Sequence, residues 1–235
     1  VAGGGGGRAF MFPGEVEAAA LNKGFKSGVV DDFAPSGMAG LGSFFVVAHA
    51  LQFLWRPLPR ILEAIDAARA QLGLEAPIVG VHVRHGDACA AGRPCVPWGE
   101  FRREALRIAS RYGGKSLFLA TDDPAVAGRC SGSSSPPCGH ALLDRGQYQV
   151  ERAPHRPKSS VYIERRIEAG ELDASRLAVA TLVDIHLLSE CDAFVGTFSS
   201  SMSRVAYMLM AARRGGHVPF VSLDSAWARR DGRII

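Results

Sequence analysis

Residues 184–208, DIHLLSECDAFVGTFSSSMSRVAYM, decide how this chain is read. An apolar helix carrying Asp184 runs into a short apolar strand, which ends at Thr197 and in a run of serines, Ser199, Ser200 and Ser201, where a second helix begins. Serine hydroxyls and the unpaired N–H groups of a helix start form a site for a phosphate anion. Upstream, IVGVHVRHGD (residues 78–87) reads as an apolar strand that delivers His82, Arg84, His85 and Asp87 at its carboxyl end. Open α/β sheets hold their ligands at that end. Together the two stretches predict a pocket for a nucleotide diphosphate.

Outward from these stretches the pattern stays regular. Residues 44–55 read as an apolar helix, and residues 59–72 as an amphipathic one stopped by Gly73. A strand is expected at 78–84, a helix at 98–112, a strand at 116–121, a helix at 175–191, a strand at 193–198, a helix at 201–213 and a strand at 218–223. Between them, residues 124–166 read mostly as loop, with Ser/Pro punctuation and a basic patch at Arg152, His155, Arg156 and Lys158. Continuously apolar strands alternating with helices predict an α/β fold, a Rossmann-like open parallel sheet with helices on both faces. Residues 1–43 are Gly-rich, and their GGGGG run follows no strand, so they read as linker, a remnant of a first domain. Residues 44–235 then form the nucleotide-binding domain.

Composition bounds the possibilities. A chain of 235 residues, 47% hydrophobic, can bury one good core. A net charge of +4 spread along the chain lacks the dense basic stripe of a nucleic-acid binder and suits a small anionic ligand better. No apolar run reaches membrane-spanning length, and no signal segment opens the chain, so no membrane anchor is read in it. The five cysteines lack zinc-site spacing, and no metal site is expected. Cys89 with Cys95 and Cys130 with Cys138 flank short loops, while Cys191 ends a helix. Two loop-closing disulfides plus one buried thiol is the preferred reading, which implies an oxidising compartment; free cysteines are the alternative.

Several side chains are candidates for chemistry. His82 and Arg84 share one strand face with Gly80, whose small size leaves room beside His82. Arg84 offers a planar fork of donors to a diphosphate, or else pairs with Asp87 to finish the strand. Asp184, on a helix that is apolar nearly all round, is costly unless paired. Guanine fits it, because N1–H and the exocyclic amine are two parallel donors; the alternative is a core Asp held by Arg84 or backbone amides. Of Asp122 and Asp123, one is expected to face the ligand and the other to cap the helix after Pro124. His186 and His140 read as structural. Arg204 either approaches the anion or faces solvent.

VGVHVRHGD, LFLATDDP, LVDIHLLSECDAFVGTFSSSMSRVAYMLM and PFVSLD resemble, in order and spacing, the successive motifs of the α-1,6-fucosyltransferase family, and RPLPRILEAIDAARAQLGLEAP resembles the helix before the first motif. The resemblance runs from about residue 44 to 227. It implies a GT-B-like nucleotide-binding domain and transfer of fucose from GDP-fucose to a glycan or glycoprotein acceptor, with inversion, no metal ion and a Golgi lumenal setting. Carried over by position, His82 and Asp184 would hold guanine and Arg84 would bind the β-phosphate. Ser200, with its backbone N–H, would also bind phosphate beside Ser199 and Ser201, and Asp87, Asp122 and Asp123 match acidic positions the family needs.

The pattern also departs from the family. His85 stands where the N-glycan core fucosyltransferases of the family have a second Arg, although its bacterial members share the His, and the Lys and Glu that follow the motif Asp have no clear counterparts in ACAAGRPCVPWGE. Asp87 and Glu100 are therefore the candidates for the base. A catalytically inactive GDP-sugar-binding domain is the competing reading, and a structural α/β domain that binds no nucleotide is a third.

Overall fold

The computed structural model describes residues 9–11, 42–86, 89, 95–130, 136–140, 162–225 and 227. In chain order the elements are β1 (Ala9–Met11), α1 (Gly42–Leu54), α2 (Pro59–Leu72), β2 (Ile78–Val83), α3 (Trp98–Tyr112), β3 (Ser116–Thr121), α4 (Pro124–Cys130), β4 (Cys138–Gly139), α5 (Ile163–Glu168), α6 (Ala174–Glu190), β5 (Ala193–Gly196), α7 (Ser201–Arg214) and β6 (Phe220–Ser222). Local chemistry explains many of their ends. Pro59 opens α2, and Gly73, at φ 55°, closes it by donating its N–H to Arg69 O. The Asp173 carboxylate caps α6 by accepting the Ser175 and Arg176 amides at 2.8 and 3.0 Å.

The strands form one sheet in the order β1-β6-β5-β2-β3-β4. From β6 to β4 every pair is parallel, and β1 pairs antiparallel with β6. Side-chain alternation splits the core in two. Phe118, Ala120, Phe194 and Phe220 face α1, α2, α6 and α7, packing with Phe44, Ile65, Leu188 and Tyr207. Val79, Val81, Val83, Leu117, Leu119 and Val195 face α3 and α4, packing with Phe101, Ile108 and Val126. Helices thus cover both faces, as expected of a Rossmann-like parallel sheet. After β2 the chain moves outward to β3 and β4, then crosses back to β5 and β6. The order reverses between β2 and β5, and ligands of open α/β sheets bind at the carboxyl ends of strands beside such a reversal.

The structure adds to or corrects the sequence reading at four places. Residues 9–11, expected to be linker, pair with β6 as an edge strand. The stretch 124–166, expected to be mostly loop, contains α4 and β4 and the start of α5; its basic patch lies outside the described residues. Gly80 does not leave room for a ligand: a Cβ there would sit 3.1 Å from both Leu188 Cδ2 and Cys191 Sγ, so α6 packs directly onto the strand. The cysteines resolve as disulfides Cys89–Cys95 and Cys130–Cys138, with Cys191 a buried thiol whose burial pushes its pKa well up.

Candidate active site

At the carboxyl ends of β2 and β3, facing the start of α7, lies a cavity of about 340 Å³. Its walls are His82, Arg84, Thr121, Asp122, Ile163, Leu177, Thr181, Asp184, Ser200, Ser201 and Met202. Each strand end contributes what its parity dictates. His82 and Arg84, two residues apart, emerge on the α7 side, and Asp122 follows the last residue of β3. Leu177, Thr181 and Asp184 are spaced four and three apart, so they form one stripe of α6. The serines are delivered by the turn after β5.

Arg84 forms an ion pair through Nη1 with Asp122 Oδ2, whose other oxygen accepts the His85 amide at 2.8 Å. Gly86 makes this possible, since a Cβ on it would collide with the Asp122 carboxylate. The pair is partly open, with 26% of the Arg84 side chain exposed. Behind it His82 is nearly sealed, and its Nδ1 lies 2.6 Å from Ser203 Oγ. Burial, helped by the charge on Arg84, pushes the imidazole down to about 3, so the ring is neutral at physiological pH. Asp184 is likewise buried, with 7% exposure. The cavity lining therefore combines a buried carboxylate and a neutral imidazole with a guanidinium and two hydroxyls.

Of the residues expected from sequence, His82, Arg84, Asp122, Asp184, Ser200 and Ser201 meet in this cavity. His85, Asp123, Ser199 and Glu100 are not among its walls. His85 is buried with Nδ1 2.8 Å from Asp123 Oδ2 and Nε2 2.7 Å from Val96 O, which clamps the strand end to the segment before α3. Asp123 caps α4 by accepting the Ala125 amide at 2.9 Å. Burial alone would raise its pKa, but His85 and the α4 amides hold it below the usual carboxylate range. Ser199 donates its hydroxyl to Asp224. Glu100, in the first turn of α3, pairs with Arg103 at 2.5 Å. Asp87 lies outside the described residues.

The Ser200 amide, expected to bind phosphate, instead donates to Thr197 O at 3.1 Å and closes the turn into α7. The Ser200 side chain makes no capping bond to its own helix. Arg204 is buried and does not face solvent, and it is not among the cavity walls. Its Nε donates to Phe198 O at 2.5 Å and its Nη2 to Trp227 O at 2.8 Å, with the guanidinium 5.2 Å from the Trp227 ring.

Sequence reasoning missed Thr121, Thr181 and Ser203. The spacing from Asp184 pointed to Thr181, and Thr121 stands directly before the acidic pair. Ser203 stands two residues beyond the serine run. Among the described residues no cluster of three or more His, Cys, Asp or Glu is arranged to hold a metal, and no helix is long and apolar enough to cross a membrane.

Residues 173–227, which carry Asp184, the serine run and α7, match the family model for alpha-(1,6)-fucosyltransferase N- and catalytic domains. The alpha-(1,6)-fucosyltransferase of Drosophila melanogaster is 30% identical over 190 residues, covering 77% of this chain and 28% of that protein. Its counterpart in Caenorhabditis elegans is 28% identical over 173 residues, covering 70% and 28%. The chain thus spans 28% of the length of each of these relatives. Among solved structures, fucosyltransferase NodZ from Bradyrhizobium matches at 25% identity with a TM-score of 0.39, over 65% of this chain and 42% of that one.

Proposed function

From the premise that this chain is a relative of the α-(1,6)-fucosyltransferases, we propose that its cavity binds GDP-fucose and that the chain serves transfer of the fucose to a hydroxyl of a glycan. The supporting observation is the convergence of His82, Arg84, Asp184 and Ser200 on one space beside the sheet's switch point. In this reading Asp184 accepts N1–H and the exocyclic amine of guanine, and His82 lies against the same base edge. The diphosphate reaches Arg84 and the hydroxyls of Ser200 and Ser201.

Breaking the bond from fucose to the β-phosphate leaves an oxocarbenium-like sugar and places charge on the leaving oxygens. Arg84, already oriented by Asp122, supplies fixed positive charge there without reorganisation. The charge comes from the guanidinium, so the proposal includes no metal ion. A carboxylate takes the proton of the acceptor hydroxyl as it attacks the opposite face of the sugar, giving inversion. Glu100 is engaged by Arg103, which leaves Asp87, three residues beyond Arg84, as the assigned base. His85, Asp123 and Ser199 then support the site from outside the cavity. The two disulfides suit a lumenal compartment such as the Golgi.

A second reading, a GDP-sugar-binding domain without turnover, is favoured by one observation: Asp122 is committed to Arg84 and the His85 amide, and Glu100 to Arg103. Calorimetry with GDP, followed by GDP-fucose turnover in excess EDTA, separates the readings. Binding with release of GDP in the chelator supports the enzyme. Binding with no release at any pH supports the binding domain, and no binding rejects both.

A further inference from the structure

We propose that Ser203 is a specificity-setting positioning residue: its hydroxyl fixes the tautomer of His82 so that the ring presents an N–H donor to the cavity, selecting a purine with an acceptor at position 6. The selectivity half rests on the nucleotide reading above; the tautomer half stands on the contacts of Ser203 alone.

Ser203 is fully buried in the first turn of α7. Its Oγ has two partners, the Thr197 amide at 3.4 Å and His82 Nδ1 at 2.6 Å. An amide can only donate, so Oγ accepts from Thr197 N–H. The hydroxyl's own proton, sealed from water, must then find an acceptor, because an unsatisfied buried donor is costly. Nδ1 is the acceptor within reach. It therefore carries a lone pair and no proton, and in a neutral imidazole the proton sits on Nε2. No described residue bonds that second nitrogen, although the ring is 2% exposed and forms part of the cavity wall. The relay runs from Thr197 N–H to Ser203 O–H to His82, and it ends on an N–H offered to whatever enters.

Asp184 lines the same cavity, and its carboxylate offers acceptors only. A donor and a carboxylate in one pocket match the guanine edge, in which O6 accepts while N1–H and the exocyclic amine donate. Adenine presents an amino group at position 6 and would set donor against donor. With the opposite tautomer the His82 lone pair would face O6 and the preference would weaken or reverse. Ser203 touches no nucleotide atom in this scheme and acts only through His82.

The test uses the full chain and two readouts. Imidazole ¹⁵N spectra of the unliganded protein report the His82 tautomer directly, and the expected result is Nε2–H in wild type and loss of that single form in Ser203→Ala. Calorimetry then compares GDP with 6-thio-GDP, which keeps N1–H and the amine but offers a poorer acceptor at position 6. Wild type should prefer GDP by about 10-fold, and Ser203→Ala should lose about 10-fold in GDP affinity with little change for the thio analogue, so the preference collapses. If Ser203→Ala does not fold, Ser203→Cys, similar in size with a weak donor, should show an intermediate preference. An Nδ1–H ring in wild type, or a full GDP preference in the variants, overturns the proposal. If wild type binds neither nucleotide, the GDP reading and the selectivity role fall together, while the ring spectrum still decides the tautomer relay.

Discussion

Asp122 holds Arg84 with one oxygen and the His85 amide with the other, so the guanidinium reaches the cavity pre-aimed. Pre-aimed charge acts on the transition state more than on ground-state binding. Arg84→Ala should therefore lower GDP-fucose turnover by about 100-fold or more, with a smaller loss of GDP affinity, in a protein whose melting curve confirms the fold. Turnover close to wild type would remove Arg84 from the leaving-group role. At this scale the sequence was informative wherever a residue's type and strand position implied a task. Arg84 at a strand tip, Asp184 on an apolar helix and serines at a helix start all line the cavity. Gly86 and Ser203 were invisible because their roles arise only when another segment approaches, Asp122 in one case and His82 in the other. His85 was a polar group near the right place, but its partners Asp123 and Val96 come from other segments and decide where it points, while Glu100 is held by Arg103 one turn along its own helix.

Elements with a strong period were legible almost to the residue. α2, α3 and β3 coincide with their expected spans, helped by Pro59 at the first position of one helix and by Gly73 and Gly113 in left-handed turns after two. Short elements such as β1 and β4, with three and two residues, carry no periodicity of their own and exist only through pairing. Helices are also tied to one another by charge. Glu190 at the end of α6 meets Arg69 of α2 at 2.9 Å and His186 one turn earlier at 3.3 Å. Burial alone would raise its pKa, yet His186 and Arg69 outweigh this and hold it at about 2, below the ordinary value of 4.5. A depressed folded-state pKa stabilises above the unfolded value and is lost as pH falls through the folded one. Glu190→Gln should thus cost about 1 to 2 kcal/mol in urea unfolding at pH 7, after allowance for solvent screening. The difference from wild type should shrink below pH 4.5 and nearly vanish at pH 2. A gap that stays constant across that window would mean Glu190 contributes packing and not charge.

For the molecule as a whole, the alternation of apolar strands and helices was enough to predict a parallel sheet covered on both faces, but not the strand order that puts the switch point between β2 and β5. Order depends on crossovers that local pattern does not encode, and it is what brings the ends of β2 and β3 and the start of α7 around one cavity. A larger cleft of about 460 Å³, between the α1–α2 corner and α6, is lined mostly by apolar side chains, with Arg56 and Arg60 beside it. It has no converging carboxylate and hydroxyls, so size alone is a poor guide to chemistry in this chain. The antiparallel pairing of Ala9–Met11 with Phe220–Ser222 bears on colloidal behaviour. A flank with open amides and carbonyls is a template for a second copy, and β1 occupies that template on one side. Removing residues 1–11 should leave the cavity side chains in place yet make the protein associate with itself as concentration rises, visible by sedimentation. A truncated chain that stays monomeric would show that the three-residue ribbon is dispensable for solubility.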